Sequence, residues 1–106
     1  MNLPTPIEAY FEANAHLNAA AMLSPFADDA VVRDEGHIHK GAEAVQAWIE
    51  STTISLPAIA VPRAIRSDGE SHHVTAQVSG DFAGSPVTLS FRFRLNGNRI
   101  AEHDIT

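Results

Sequence analysis

The chain has 106 residues, 44% of them apolar and 19% charged, which suits one globular domain spanning 1–106 and excludes a disordered or fibrous chain. A domain of this length buries roughly two-thirds of the surface its unfolded chain would expose, and with no cysteine it does so without disulfides, cysteine-held zinc or a thiol nucleophile. Seven Lys+Arg against thirteen Asp+Glu give a net charge of −6, so nucleic-acid binding lacks its electrostatic footing.

No apolar run is long enough to span a bilayer. The start, Met1-Asn2-Leu3-Pro4, has neither the basic nor the apolar region of a secretion signal, so a cytoplasmic location with no membrane partner is expected.

In chain order, Thr5-Pro6-Ile7-Glu8 reads as a helix start: Thr5 caps, Pro6 sits where its missing N–H costs nothing, and Glu8 completes a capping box. Ile7, Tyr10, Phe11 and Asn14 then recur at helical spacing and mark one inward stripe. Asn18 reads as the cap of a second, short helix that ends before Pro25. Ala30–Asp34 reads as a strand, Glu35-Gly36 as a turn, and His37–Lys40 as the return strand. Gly41 to about Ser51 forms a third helix that buries Val45, Trp48 and Ile49.

Four strand segments follow. Ala58–Arg66 ends at the hairpin signal Asp68-Gly69, and His72–Gly80 runs into a loop, Asp81–Pro86. Val87, Leu89, Phe91, Phe93 and Leu95 alternate with Thr88, Ser90, Arg92 and Arg94, the pattern of a half-buried strand. Asn96-Gly97 signals another hairpin before Arg99–Ile105. Helices first and strands after give an α+β class, with helices on one face of a curved antiparallel sheet.

The order of these elements, with particular residues, resembles the nuclear transport factor 2-like superfamily, and within it the small SnoaL-like and ketosteroid-isomerase-like proteins. The marks are Tyr10-Phe11, Phe26-Ala27-Asp28-Asp29-Ala30-Val31-Val32, Asp34 to Gly41, Ala44-Val45-Gln46-Ala47-Trp48-Ile49, and Gly80-Asp81-Phe82-Ala83-Gly84-Ser85-Pro86-Val87. The resemblance implies a cone-shaped barrel, its mixed-edge sheet wrapped around the N-terminal helices and enclosing an internal pocket. It also implies that the sheet face pairs two copies as a homodimer, and that no cofactor is used. Asp34 stands where the isomerases keep their catalytic base, and Tyr10 stands at the position of their oxyanion-hole tyrosine. Their second oxyanion donor falls on Phe91, so that donor is missing. Trp48 matches a pocket-lining aromatic, and His103 falls on a pocket position of the last strand. Phe11, Asn14, Phe82 and Phe91 join Trp48 as expected ligand-binding residues.

The residues carry their own reading beside this one. Val32 and Asp34 share a strand face, so an inward Val32 turns Asp34 inward too. A carboxylate in an apolar cavity becomes a usable base; the competing reading is a hydrogen-bonded strand-end aspartate. Tyr10 either donates to a ligand carbonyl or to Asp34, or is an amphipathic core tyrosine. His103 alternates with Ala101 and Ile105, hence on the apolar side, as a proton shuttle, a replacement donor or a core histidine. His37 and His39 share one side of a strand but lack a third ligand, and His72 and His73 point to opposite faces, so no metal site is assigned.

Three functions compete. The first is an isomerase, cyclase or dehydratase-type enzyme acting on a small apolar carbonyl compound, with Asp34 as base and Tyr10 and His103 as polarising donors. The others are a non-catalytic ligand-binding protein and a protein-interaction module. Phosphate loops, dinucleotide fingerprints and nucleophile elbows do not occur in the sequence.

Overall fold

A computed structural model describes residues 1–106. Its helices are α1 (Thr5–Ala15), α2 (Ala19–Leu23) and α3 (Ala42–Ile49); its strands are β1 (Phe26–Asp34), β2 (His37–Lys40), β3 (Ala58–Asp68), β4 (Ser71–Gly80), β5 (Val87–Asn96) and β6 (Arg99–Ile105). No helix is long and apolar enough to cross a membrane.

Helix α1 begins one residue earlier than the capping box implies. Pro4 occupies the cap position with no side-chain cap bond, and Thr5 and Pro6 are its first helical residues. Proline is at ease there, because first-turn amides have no helical acceptor. Asn18 does cap α2, accepting the Ala21 amide at 3.1 Å. After Ile49 the coil of α3 widens into a π-helical turn over Glu50–Ile54.

The strands form one six-stranded sheet in the order β2-β1-β6-β5-β4-β3. All neighbours are antiparallel except β1 and β6, which run parallel inside the sheet and not at its edge. The sheet is curved but does not close: β2 and β3 are its two ends. The β1–β2 connection is the two-residue turn Glu35-Gly36, with φ of 52° and 77°, and it sets Asp34 opposite His37. Positive φ at both positions matches the right-handed twist of a tight hairpin.

In the β3–β4 and β5–β6 hairpins the connecting pairs are Gly69-Glu70 and Gly97-Asn98, one residue beyond the dipeptides the sequence singles out. Gly80 ends β4 under a close approach, since a Cβ there would lie 2.7 Å from the Pro57 carbonyl and 2.9 Å from the Phe82 ring.

The helices cover the inner face of the sheet. Ile7, Val32, Val45, Phe93 and Ile100 are fully buried there, each contributing on the order of 1.5–3 kcal/mol from lost apolar surface. The outer face is charged. Arg33 on β1 bonds Glu102 and Asp104 on β6 at 2.9 and 3.0 Å, Arg92 on β5 bonds Asp104 at 2.9 Å, and Arg94 bonds Glu102. Arg33 and Arg94 both donate to Glu102 and hold its carboxyl below the usual range.

Candidate functional site

Asp34 closes β1 two residues after Val32, and the strand period turns both to the inner face. It is half-buried. Its Oδ2 accepts the indole N–H of Trp48 at 3.1 Å, so the strand-end carboxylate is joined to α3. Trp48 itself is 3% exposed, and its carbonyl accepts the hydroxyls of Ser51 (3.2 Å) and Thr52 (2.7 Å) as the π-helical turn begins. His39, half-buried, stands with its ring 6.3 Å from that of Trp48.

Tyr10 and His103 meet deeper in the core. His103 is fully buried, with its Nε2 3.1 Å from the Tyr10 hydroxyl and its Nδ1 3.1 Å from the Arg92 carbonyl. A carbonyl only accepts, so Nδ1 carries the proton and donates to Arg92. Nε2 is then a bare lone pair, and the Tyr10 hydroxyl donates to it. Burial pushes the imidazole down to about 4, which keeps it neutral near pH 7. Burial, with the Asp34 charge adding to it, pushes the Tyr10 hydroxyl far above its ordinary value, so it stays protonated. The His103 ring stacks on Phe93 at 4.2 Å and 5°, and Trp48 presents its edge to it at 5.7 Å.

The structure thus brings Asp34 and Trp48 together, and Tyr10 and His103 together, within one aromatic cluster. The two residues expected as polarising donors bond each other. Phe11 and Phe91 join the same cluster with ring centroids 5.6 Å apart, both nearly buried by their neighbours. Asn14 is committed elsewhere: its amide donates to the Ala58 carbonyl at 3.0 Å and accepts the Ala60 amide at 2.7 Å, clasping α1 to β3. Phe82 lies on the β4–β5 loop, 41% exposed, with its ring over Gly80.

Open clefts mark the surface. One of about 640 Å³ runs from Arg33, Asp34 and the β1–β2 turn across His73, Ser90 and Arg92 to Thr106. Another of about 520 Å³ lies beside α1 and α2, between Thr5 and Asn98. Neither is lined by Tyr10, Phe11, Trp48, Phe91 or His103. No group of three or more His, Asp or Glu residues stands close enough to hold a metal ion.

The pairing of Trp48 with Asp34 is the feature that reading the sequence misses. The signal was present: a buried indole N–H must find an acceptor, and an inward strand-end carboxylate is the natural one.

Helices packed on a curved sheet are what the comparisons with known proteins recover. The profile of the SnoaL-like domain matches residues 7–103. The chain belongs to the SnoaL-like family. Among solved structures it is similar to a candidate polyketide cyclase from Sinorhizobium meliloti, with 38% identity, TM-score 0.93, and coverage of 98% of this chain and 95% of that one. A Catenulispora acidiphila protein with a ketosteroid isomerase-like fold, solved with trimethylamine, matches at 19% identity, TM-score 0.85, covering 99% of this chain and 86% of that one. A SnoaL-like protein from Jannaschia, also named as a candidate polyketide cyclase, matches at 14% identity and TM-score 0.80, with 96% and 82% coverage. The last two likenesses concern the fold alone. A search of curated proteins finds no match.

Proposed function

We propose that this SnoaL-like chain is a cofactor-independent enzyme of isomerase or cyclase type that removes a proton from a small carbonyl compound, with Asp34 as the base. The observation that carries this reading is the state of Asp34. Its carboxylate is half-buried at the rim of an aromatic cluster and is held by one neutral N–H, with no cation in any hydrogen bond or ion pair to it. Such a carboxylate has one oxygen without a partner and no cation beside it, as a general base needs.

The name of the 38%-identical structure, a candidate polyketide cyclase, supports a polyketide-like substrate, since polyketides are chains of β-carbonyls with acidic methylenes between them. Asp34 takes the methylene proton and an enolate forms. In a cyclisation the enolate carbon then bonds to a second carbonyl carbon, whose oxygen takes the electron pair and recovers a proton from Asp34. A non-catalytic interaction role is favoured by one observation, the filling of the interior by Phe91, Phe93 and His103. We propose further that the outer face of the sheet joins two copies.

Deuterium exchange at the acidic methylene of a panel of β-diketones, followed by proton NMR, tests the enzyme reading. The native chain should exceed the buffer rate, and Asp34→Asn should lose about 10²–10⁴-fold, the usual worth of a general base. Exchange at the buffer rate across the panel would overturn it in favour of the non-catalytic role.

A further inference from the structure

We infer that Trp48 is the positioning residue of Asp34, holding one carboxylate oxygen so that the other, Oδ1, is the atom that accepts the proton; the inference rests on the reading of Asp34 as a base. A carboxylate offers two oxygens with about four lone-pair sites between them. Oδ2 is taken by the Trp48 indole at 3.1 Å, whereas Oδ1 has no partner in any hydrogen bond or ion pair of the chain. The donor is neutral, so it orients the carboxylate without cancelling its charge. Arg33, the adjacent residue, would cancel it. But Arg33 lies on the opposite face of β1 and is engaged by Glu102 and Asp104.

The tether is rigid at both ends. At its helical end the Trp48 carbonyl is held by the Ser51 and Thr52 hydroxyls, at the point where α3 passes into the π-helical turn over Glu50–Ile54. Single π-helical turns are frequent at functional sites. The ring is wedged edge-on against His103 and stands beside His39. At the other end Asp34 is fixed by pairing on both sides, opposite His37 on β2 and Ile105 on β6. Turning the carboxylate away from the indole would break this bond and strand a buried N–H.

Trp48→Phe keeps an aromatic ring in the core and removes only the donor. In the β-diketone exchange assay its turnover should fall about tenfold or more, the worth of a hydrogen bond to a charged group, with KM within about twofold. A KM rise with unchanged turnover would overturn the inference, as would native rates. A second measurement needs no activity. Trp48 is the single tryptophan, so the chain gives one indole N–H resonance. That resonance should move upfield and exchange faster with solvent in Asp34→Ala; an unmoved resonance would overturn the tether. A native chain inert toward every diketone whose indole still responds to Asp34→Ala would sink the enzyme reading and keep Trp48 as the residue that orients Asp34. Native activity with no loss in Trp48→Phe would do the opposite.

Discussion

His103 is a neutral group that folding has placed where a charge is costly, and the consequence can be read as stability against pH. In the unfolded chain its imidazole takes up a proton as pH falls below the ordinary value of 6.5; in the folded chain it resists until about 4. The unfolded state therefore binds more protons across that window, and stability is lost as pH falls from about 6.5 to about 4, then levels off. Glu102, whose carboxyl is held down by Arg33 and Arg94, acts in the same sense further into acid, so a comparison between variants is needed. His103→Gln preserves a donor and an acceptor without titrating. In urea denaturation at pH 7 and pH 5 the native chain should lose about 2 kcal/mol more than His103→Gln between the two, from a pKa gap spanning that interval. Equal losses would mean that His103 takes up its proton in the fold, and with it that the Tyr10 hydroxyl is not donating to Nε2.

Asn14 shows at the level of elements what one polar residue on an apolar helix stripe can mean. It ties α1 to β3 through the Ala58 carbonyl and the Ala60 amide. Asn14→Ala leaves that amide and carbonyl unpaired in a buried setting, and should lower the stability by about 2–3 kcal/mol in urea melts, with the rate of any diketone exchange unchanged. A loss of exchange with stability intact would return Asn14 to the ligand. The sequence could not choose between these, because an inward Asn signals either and its partners lie far along the chain. Local pattern was legible where period and turn chemistry agree: the alternation of Val87–Leu95 became β5, Asn18 became a cap, and Glu35-Gly36 became the hairpin turn. It failed where the period breaks. Ile100 and His103 both face the core because an irregularity in the β5–β6 register, at Ala101, shifts the alternation between them. Asp28 and Asp29 look like loop residues but belong to β1, in the stretch where its register against β6 shifts. The parallel pairing of β1 with β6 leaves no local mark, since it joins the two halves of the chain. The position of Asp34 could be read from strand parity and from the family resemblance; its tether to Trp48 needs in addition the rule that a buried indole N–H finds an acceptor.

At the scale of the molecule, one face of the sheet is covered by helices and the other carries a lattice of three arginines and two acids. Exposed pairs of this kind are individually worth little, which leaves their arrangement as the informative property. The lattice holds one more positive than negative charge within a chain of net charge −6, so this face lacks the acidic excess that would drive two copies apart. Alternating Arg and acid rows are also self-complementary under a two-fold axis, the symmetry of most small homodimers. Thr75 and Ser90, exposed and in register with one another across β4 and β5, flank the lattice with short polar side chains that allow close approach. A stable pairing through this face needs at least about 1,000 Å² of total buried area. Sedimentation equilibrium at micromolar concentration should then give twice the chain mass. Ser90→Arg, which puts a long cation on the flank of the lattice, should shift the chain toward monomer while its circular dichroism stays native. A native chain that sediments as a monomer would remove the sheet face as a pairing surface and leave its charged lattice as a solvated clamp between β1, β6 and β5.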